Sequence, residues 1–345
     1  MTSPGWSTGA GANTFPNSCR TPNQNVISVF FVFAVAAFIG LVLFLFQLLG
    51  RIPDAKESKA RRLSRLTLRF TVVSLGVLTL FCAVWSFFIE PNRLVVHEHT
   101  IQIENWPREL AGLRVALISD LHVGGWFIDQ DKLRTVVVRT NQLNPDLIVL
   151  LGDYMSPNSW HSQRIEPEIT AALLKDFHAP LGVFSVLGNH DWWYNGLRVR
   201  RALEQNGIVV LEDDVVEIKL RGQSFWLAGL ADLWTRKQHI GDTLAKAPQG
   251  STIIALTHNP DIFPGLPNSV PLLLAGHTHG GQVNLPLIGT PIVPSRFGSK
   301  YTAGEVFENG HYLFITTGIG TSIIPIRFRV PPEIALLTIQ SKNRN

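Results

Sequence analysis

The stretch RVALISDLH, residues 114–122, decides the fold of this chain. An apolar run typical of a buried strand ends there at Ser119, and Asp120 and His122 come directly after it. The same arrangement recurs after the runs LIVLLG, FSVLG, IIALT and LLLAG, which are followed by Asp153, by Asn189, His190 and Asp191, by His258, and by His277 and His279. Because open α/β sheets place their ligand sites beyond the carboxyl ends of strands, we expect these polar side chains to meet in one place.

Strand-like runs and helical stretches alternate from residue 94 onward. The pattern predicts helices at 129–141, 167–177 and 196–206, and strands at 94–103, 114–119, 147–151, 182–187, within 208–229, and at 252–256, 271–275, 312–316 and 334–339. This alternation predicts an α/β domain with one or two mixed sheets covered by helices.

The residues that follow the strands comprise three carboxylates, one carboxamide and five histidines. Such a cluster is costly to bury unless a cation organises it, and a mixture of Asp, His and Asn without thiolates suits Mn²⁺, Zn²⁺, Fe or Co²⁺. Each element alone has a simpler interpretation, since Gly-Asp after a strand is often a turn and Asn-His is common in loops. The order and context of all five elements favour a metal site.

In this order, the motifs resemble the calcineurin-like metallophosphoesterase superfamily. The matching motifs are Asp120-Leu121-His122, Gly152-Asp153, Gly188-Asn189-His190-Asp191, Thr257-His258 and Gly276-His277-Thr278-His279. The run GHTHGGQ at 276–282, the Gly318-Ile319-Gly320 turn and the segments PIRF at 325–328 and PPEI at 331–334 are similar to the membrane-associated bacterial branch of that family. The resemblance covers residues 93–340 and implies a metallophosphoesterase-type β-sandwich flanked by helices.

The resemblance also implies a centre of two divalent metal ions. One ion would be held by Asp120, His122 and His279, the other by Asn189, His258 and His277, and Asp153 would bridge both. His190 would lie near the leaving group, with Asp191 orienting it. Two metals about 3.5–4 Å apart can bind a hydroxide between them and stabilise an in-line displacement at phosphorus, and a general acid is typically worth 10²–10⁴-fold.

Two long uncharged apolar runs precede this domain, at 26–49 and 70–89. Each exceeds the roughly 18 apolar residues that mark a membrane-spanning helix. The sequence therefore predicts a polar tail at 1–25, a transmembrane helix at 26–49, a basic loop at 50–69, a second transmembrane helix at 70–89 and the catalytic domain at 93–340. A buried core helix or a cleaved signal peptide is the alternative for such a run.

Charge is concentrated between the two apolar runs. Residues 51–69 hold seven basic and two acidic residues, a local +5, and Arg20 is the one charge before them. Removing this +5 and this +1 from the total of +4 leaves −2 for residues 70–345, so nothing there indicates a nucleic-acid partner. Short basic loops are retained in the cytoplasm, which predicts an inner-membrane, multi-pass protein with an extracytoplasmic catalytic domain.

Aromatic and basic residues near the motifs are candidate substrate contacts. Trp126 and Trp192 follow metal-site motifs and are compatible either with core packing or with a hydrophobic rim that admits a lipid phosphoester. Arg236, Arg296 and Lys300 are candidate phosphate contacts, although exposed cations are often merely solvated.

The function expected from these features is a membrane-anchored phosphoesterase with two metal ions. Attack by a metal-bridging hydroxide would hydrolyse a phosphodiester or pyrophosphate bond, with an envelope lipid as one candidate substrate. The alternative is a membrane-tethered scaffold or sensor that keeps the fold without activity, against which the complete ligand set argues. A porter or channel is disfavoured, because the two spans contain no charge.

Overall fold

In the computed structural model, the described part of the chain comprises residues 58–156 and 165–342, together with Gly40 and Gln47. The predicted tail at 1–25 lies outside the described residues, as does nearly all of the predicted first span at 26–49. The beginning of the predicted basic loop, at 50–57, lies outside them as well.

A long helix leads into the domain. Helix α1, Lys59–Val84, continues through a π-helical turn at Trp85–Ile89 and a 3₁₀ turn at Glu90–Asn92. The prediction that the helix begins at residue 70, after a loop, is corrected by this start at Lys59. The cause is local, because the Ser58 hydroxyl caps the helix by accepting the backbone N–H of Arg61, and the basic residues that follow are good helix formers.

The helical segment Lys59–Asn92, 34 residues long, is the one segment among the described residues that is long and apolar enough to cross a membrane. Almost none of its apolar stretch is buried, which distinguishes it from the core helix of a soluble protein. Its exposed large apolar side chains include Leu63, Phe70, Val77 and Phe81.

The domain contains, within the described residues, twelve strands and four further helices. The strands are β1 Val95–Ile103, β2 Leu113–Ile118, β3 Leu147–Leu150, β4 Val183–Ser185, β5 Val209–Val210, β6 Asp214–Leu220, β7 Gln223–Gly229, β8 Ile253–Leu256, β9 Leu272–Ala275, β10 Gly304–Glu308, β11 His311–Ile315 and β12 Glu333–Ser341. The helices are α2 Gln130–Gln142, α3 Pro167–Leu174, α4 Asn189–Gln205 and α5 Ile240–Leu244.

Two six-stranded mixed sheets form the domain. The first has the strand order β1-β12-β2-β3-β4-β5, with β2 to β5 parallel, and the second has the order β10-β11-β9-β8-β7-β6, with β11, β9, β8 and β7 parallel. The α/β prediction with mixed sheets is therefore confirmed. Strand β10 and helix α5 were not predicted, because β10 is a half-exposed edge strand and α5 has only five residues.

Alternating side chains divide the core into layers. Val115, Leu117, Leu147 and Val149 point from the first sheet toward Leu227, Leu256 and Leu274 of the second, and the layer between the sheets is apolar and buried. The opposite face of the first sheet packs against α2, α3 and α4, and that of the second sheet packs against the 3₁₀ segment Pro260–Gly265. The parallel strands are buried on both faces, so they read as continuous apolar runs in the sequence.

Candidate metal centre

The residues predicted from the strand-end pattern converge at one edge of the sandwich. The parallel strands of both sheets end there, so the loops that follow them are neighbours. Those loops carry Asp120 and His122 after β2, Asp153 after β3, Asn189 and His190 after β4, His258 after β8, and His277 and His279 after β9. All of these side chains are buried except that of His190, which is partly exposed.

Tight turns bring the side chains inward. Asp120, His122, Asp153, His277 and His279 have positive φ angles between 44° and 68°, a region that non-glycine residues rarely occupy. Strained backbone of this kind is typical of functional sites, where surrounding structure maintains it.

Close approach of the loops requires two glycines. A Cβ atom at Gly188 would overlap the carboxylate of Asp153, and one at Gly276 would overlap Ser119 and Asp120. The glycines that open the third and fifth motifs are therefore needed for loops from different strands to meet.

The first cluster surrounds Asp120. His279 Nε2 lies 3.2 Å from Asp120 Oδ1 and 3.1 Å from His122 Nε2, and the two imidazole rings are stacked. His122 Nδ1 donates to the backbone carbonyl of Met155, at 3.1 Å, which leaves Nε2 as the nitrogen with a free lone pair. Such a carbonyl partner commonly orients a metal-binding imidazole.

The second cluster surrounds His258. Its Nε2 lies 3.3 Å from Asp153 Oδ2 and 3.1 Å from Nδ1 of His277, and its Nδ1 donates to the carbonyl of Leu151 at 2.7 Å. Asp153 Oδ2 also lies 3.6 Å from His122 Nε2. Asp153 is thus the carboxylate that contacts both clusters.

Asn189 is buried beside these groups, and neither atom of its carboxamide has a hydrogen-bond partner. Buried amides are normally hydrogen-bonded, so an unpartnered one indicates a position where a ligand binds.

Helix α4 begins earlier than predicted. The sequence predicts its start at residue 196, whereas it begins at Asn189 and is interrupted at Asn195, whose φ of −178° is not helical.

The donor set fits divalent metal ions. Three groups of side chains, Asp120-His122-His279, His122-Asp153-His190 and Asp153-His258-His277, each have their ligand atoms within 4.8 Å of one another. Imidazole and carboxylate donors suit Zn²⁺, Mn²⁺, Fe or Co²⁺. Oδ1 of Asp120 and the carboxamide of Asn189 are buried without a hydrogen-bond partner, so their oxygens are available to bind a metal ion.

Burial and neighbouring charges shift the pKa values of these groups. Burial lowers the pKa of His122 to about 3, and burial together with the charge of His258 lowers that of His277 to about 3, so both imidazoles are neutral, the form that binds metal. Burial raises the pKa of Asp120 to about 6. Burial alone would lower the pKa of His258, but the adjacent charge of Asp153 overcomes it and raises this pKa to about 10.

His190 lies at the open side of the cluster. Its backbone N–H donates to Asp153 Oδ1 at 2.9 Å, its Nε2 lies 3.9 Å from Asp153 Oδ2, and its ring meets that of His122 edge-on at 4.8 Å. Burial lowers the pKa of His190 from its ordinary value. The imidazole is therefore close to the clusters and partly accessible to a substrate.

Asp191 does not orient His190, contrary to the sequence-based expectation. Consecutive helical residues point about 100° apart, and the Asp191 carboxylate turns inward to accept four backbone N–H groups. The donors are those of Gly188, Asp153, Tyr154 and Met155, at 2.8 to 3.1 Å. Asp191 thus fixes the turn that presents Asp153, and burial raises its pKa to about 7.

Trp193 and Trp234, which were not among the selected contacts, form the aromatic rim of the cluster. The Trp193 ring lies 4.8 Å from His190, Trp234 lies 4.3 Å from His277, and the two indoles are 6.3 Å apart. They are 59% and 48% exposed. Trp192, in contrast, packs against the core and donates to Glu212 at 2.9 Å. The sequence run Trp192-Trp193-Tyr194 does not show which indole faces the cluster, because the start of helix α4 decides this.

The three cations selected as phosphate contacts have other partners. Arg236 lies over the Trp192 ring at 4.3 Å, Arg296 Nε is 3.6 Å from Asp261, and Lys300 pairs with Glu308 at 2.8 Å. Trp126 is partly buried after the His122 turn. The structure does not bring the three cations into the His/Asp cluster.

Asp232, which was missed, follows β7 as the other acids follow their strands. It is fully buried, and its Oδ2 accepts from the backbone N–H groups of Trp234 and Thr235 at 3.1 and 2.9 Å, while Oδ1 has no partner. The same strand-then-acid pattern in GLAD at 229–232 would have indicated it. It holds the loop that carries Trp234.

Comparison with known proteins agrees with this geometry. A family model described as calcineurin-like phosphoesterase matches residues 113–281. The metallophosphoesterase YkuE of Bacillus subtilis (strain 168) is 32% identical over 264 residues, which cover 75% of this chain and 90% of that protein. Phosphodiesterase YaeI of Escherichia coli (strain K12) is 27% identical, covering 74% and 92%. A transmembrane protein with metallophosphoesterase domain from Danio rerio is 29% identical, covering 91% and 71%.

The chain belongs to the calcineurin-like metallophosphoesterase family. It is a metal-dependent phosphoester hydrolase. The matched residues 113–281 include every member of the buried His/Asp clusters.

Proposed function

We propose that this protein is a membrane-anchored phosphoesterase with two metal ions that hydrolyses a phosphodiester or pyrophosphate bond, with a membrane lipid as the favoured substrate class. The observation that carries the proposal is the position of Asp153, whose Oδ2 lies 3.3 Å from His258 and 3.6 Å from His122. One carboxylate between two imidazole clusters is the arrangement that a pair of ions needs.

The ligand assignment follows the clusters. Asp120, His122 and His279 hold one ion, and His258, His277 and the unpartnered carboxamide of Asn189 hold the other, with Asp153 shared. Two carboxylates neutralise only half the charge of two divalent ions, so the loaded site attracts an anionic phosphoester. The metal identity is drawn from Mn, Zn, Fe and Co, all of which accept this donor set.

Bound divalent ions polarise the phosphoryl oxygens and supply a hydroxide nucleophile at neutral pH. The chain's own residues position the substrate and handle the leaving group. His190, at the open side and 3.9 Å from Asp153, protonates the departing oxygen or stabilises its charge. Asp191 keeps the Asp153 turn in place through four backbone hydrogen bonds.

The substrate class is supported by three features. The relative YaeI is named a phosphodiesterase, which supports a phosphodiester substrate for this chain. The candidate membrane-spanning helix Lys59–Asn92 runs into β1 after only two residues, so the site stays close to the bilayer. Trp193 and Trp234 give the site a partly apolar rim suited to a lipid headgroup with adjoining acyl chains.

Inner-membrane location with an extracytoplasmic catalytic domain is part of the proposal. The basic residues of 51–69 favour retention of that segment in the cytoplasm. Protease added to intact spheroplasts should digest the domain; protection of the domain until the membrane is permeabilised would reverse the proposed orientation.

The substrate class can be tested with the full-length protein in detergent, loaded with each metal in turn. Hydrolysis of phospholipids, lipid-linked sugar pyrophosphates and nucleotides is compared, with Asp153→Ala as the inactive control. Wild-type turnover of a lipid phosphoester above the Asp153→Ala background supports the proposal. Turnover confined to nucleotides would leave the hydrolase activity in place and contradict the lipid substrate.

A further inference from the structure

Two loops beside the metal centre expose a cluster of large apolar side chains. Segments 285–293 and 321–326, here called the apolar tip, carry Leu287, Ile288, Ile292, Ile323 and Ile324, which are 108%, 71%, 75%, 85% and 46% exposed. No charged residue occurs within 280–295 or 316–326. Large apolar side chains exposed in neighbouring loops in this way indicate an interaction surface.

Gln282, three residues before the first segment of the apolar tip, is hydrogen-bonded to the second segment. The side chain of Gln282 donates to the carbonyl of Ile324 at 3.1 Å and accepts the N–H of Ser322 at 2.7 Å. The backbone N–H of Phe328 donates to the carbonyl of Gln282 at 2.9 Å. A Cβ atom at Gly281 would overlap Thr290 and the carbonyl of Ile292, so this stretch lies against the first segment as well, and the two segments are neighbours.

Backbone conformation strengthens the case that these side chains have an apolar partner. Leu287 and Ile323 have φ angles of 68° and 64°, in the left-handed region that favours glycine or asparagine and penalises a β-branched residue. Exposure to water would favour a polar residue or glycine at the same positions. Leu287 and Ile323 meet neither the backbone preference nor the preference of exposed positions for polar residues. We therefore expect an apolar partner to cover them in the working protein.

The position of the tip identifies what covers it. The backbone N–H of Arg327 donates to the carbonyl of Ser86 at 3.0 Å, and Ser86 lies in the helical segment Lys59–Asn92. A helix rises about 1.5 Å per residue, so Ser86 is within about 5 Å of the end of the apolar run at Ile89. Ile323 and Ile324 precede Arg327 by only a few residues, which places the tip at the level of the bilayer surface if this helix spans the membrane.

Arg327, which contacts the helix, is fixed in the domain by its side chain. The Arg327 guanidinium is fully buried and donates to the carbonyls of Thr317 at 2.9 Å and Val330 at 3.1 Å, and to that of Gly320. Gly320 in turn donates its N–H to the carbonyl of Asp120 at 2.7 Å. Arg327 thus contacts the end of the helix through its backbone N–H, and its buried guanidinium holds the 317–320 turn, which in turn contacts the Asp120 turn.

We propose that the apolar tip inserts into the membrane leaflet that faces the catalytic domain, so that the partner of this surface is the lipid bilayer itself. The inference rests on the membrane anchoring in the proposed function and adds a second point of membrane contact beside the metal centre. The exposed Arg329 at the flank of the tip suits contact with anionic headgroups. Two contacts, helix and tip, fix the orientation of the site toward the bilayer surface, where a lipid phosphate lies.

Insertion is tested by placing a polarity-sensitive fluorophore on single cysteines in the full-length protein, in a Cys19→Ser/Cys82→Ser background. Labels go at Leu287 or Ile323 in the tip, at Leu78 in the helix as a positive control, and at Val209 as a matched exposed apolar control. Val209 lies on β5, across the sheet from β1 by five strand spacings of about 4.8 Å each. The protein is reconstituted in phosphatidylcholine–phosphatidylglycerol vesicles without quencher, with lipids carrying a nitroxide near the headgroup to test the tip, and with lipids carrying it midway along the acyl chain to test Leu78.

Insertion predicts a blue shift for the labels at Leu287 and Ile323 and loss of most of their fluorescence with the quencher lipid, while the label at Val209 stays unaffected. Tip labels that behave like the one at Val209 overturn the inference. If the Leu78 label is quenched in that case, the anchor stands; if it is not, the anchoring proposal fails as well. A blue shift without lipid quenching also overturns it, in favour of cover by a second copy of the chain. Two tip positions keep the test valid if one labelled variant does not fold.

Discussion

Oδ2 of Asp153 and Nε2 of His258 lie 3.3 Å apart, although the two residues come from different sheets of the sandwich. The contact joins the end of β3 to the end of β8, and the same carboxylate reaches His122 at 3.6 Å. Because the two sheets meet here, the Asp153 side chain can contact both metal-binding clusters.

Substitution of ligands from the two clusters should have separable effects on metal content. His279→Ala removes a ligand of the Asp120 cluster, and His258→Ala removes one of the cluster shared with His277, so each should lose about one of two ions and lower turnover at least about 10²-fold. Elemental analysis with activity assays checks this. His311→Ala, a buried histidine away from the clusters, is the control and should keep both ions. Equal metal content in all three variants would refute the ligand assignment.

Metal uptake should release protons in a pH-dependent way. His258 has a pKa of about 10 in the metal-free protein and is therefore protonated at neutral pH, whereas a bound ion requires the neutral imidazole. Apparent affinity should rise about tenfold per pH unit between pH 7 and 9, since roughly one proton is released. Below about pH 6, protonation of Asp120 steepens the dependence. Calorimetry in buffers of different ionisation enthalpy measures the protons, and metal binding without proton release would contradict the expectation.

Protonation of His258 also makes the folding stability of the metal-free protein depend on pH. The pKa of His258 is raised above the unfolded value near 6.5, so its pairing with Asp153 stabilises the metal-free protein fully below pH 6.5 and is lost as pH rises through about 10. The free energy of unfolding of metal-free protein should therefore decline between these limits more steeply than that of His258→Gln.

His190→Ala should leave metal content unchanged and affect substrates according to their leaving groups. A general acid matters when an alkoxide departs and little when a p-nitrophenolate departs, so the rate should fall 10²–10⁴-fold for an alkyl ester and much less for the nitrophenyl ester. The pKa of His190 lies below its ordinary value, so its contribution should be largest at acidic pH and decline as pH rises. Metal loss in this variant, seen by elemental analysis, would reassign His190 as a ligand.

The aromatic rim can be separated from the packed tryptophans by substitution. Trp193→Ala and Trp234→Ala should raise KM for a lipid phosphoester in mixed micelles while the rate on a small soluble phosphodiester is kept, because both indoles are exposed at the site. Trp192→Ala should instead lower the melting temperature, since its ring packs between the core and Arg236. Equal losses on both substrates for Trp193→Ala would assign that side chain to packing.

The sequence predicts the site residues that follow strands better than those on a helical turn. Asp120, Asp153 and His258 follow buried parallel strands whose apolar runs are unmistakable, so their convergence required only that parallel strands end on the same side. The directions of side chains on one helical turn were not predictable in this way. Asp191 and Trp192 differ from expectation because helix α4 starts at Asn189 rather than near residue 196, and this start sets where each side chain points.

The partners of the basic side chains were likewise not predictable from the sequence pattern. Arg296 and Lys300 lie between two motif segments in the chain, yet Asp261 and Glu308 from other positions pair with them. Arg327 looked like part of a family motif, and only the fold shows that its guanidinium is buried among the carbonyls of the 317–320 turn. Long-range pairing of this kind depends on tertiary contacts that a single sequence does not display.

The number of ions per chain in Asp153→Asn, compared with wild type, tests the shared carboxylate most directly. Elemental analysis of the full-length protein after metal loading and removal of free ions is the measurement, with circular dichroism to confirm that the variant folds. Because Asp153 contacts both clusters, the wild type should hold two ions per chain and the variant fewer than one, with hydrolysis of a generic phosphodiester reduced to background. Two ions retained in folded Asp153→Asn, or a single ion in a fully active wild type, would contradict a pair of metals held through this residue.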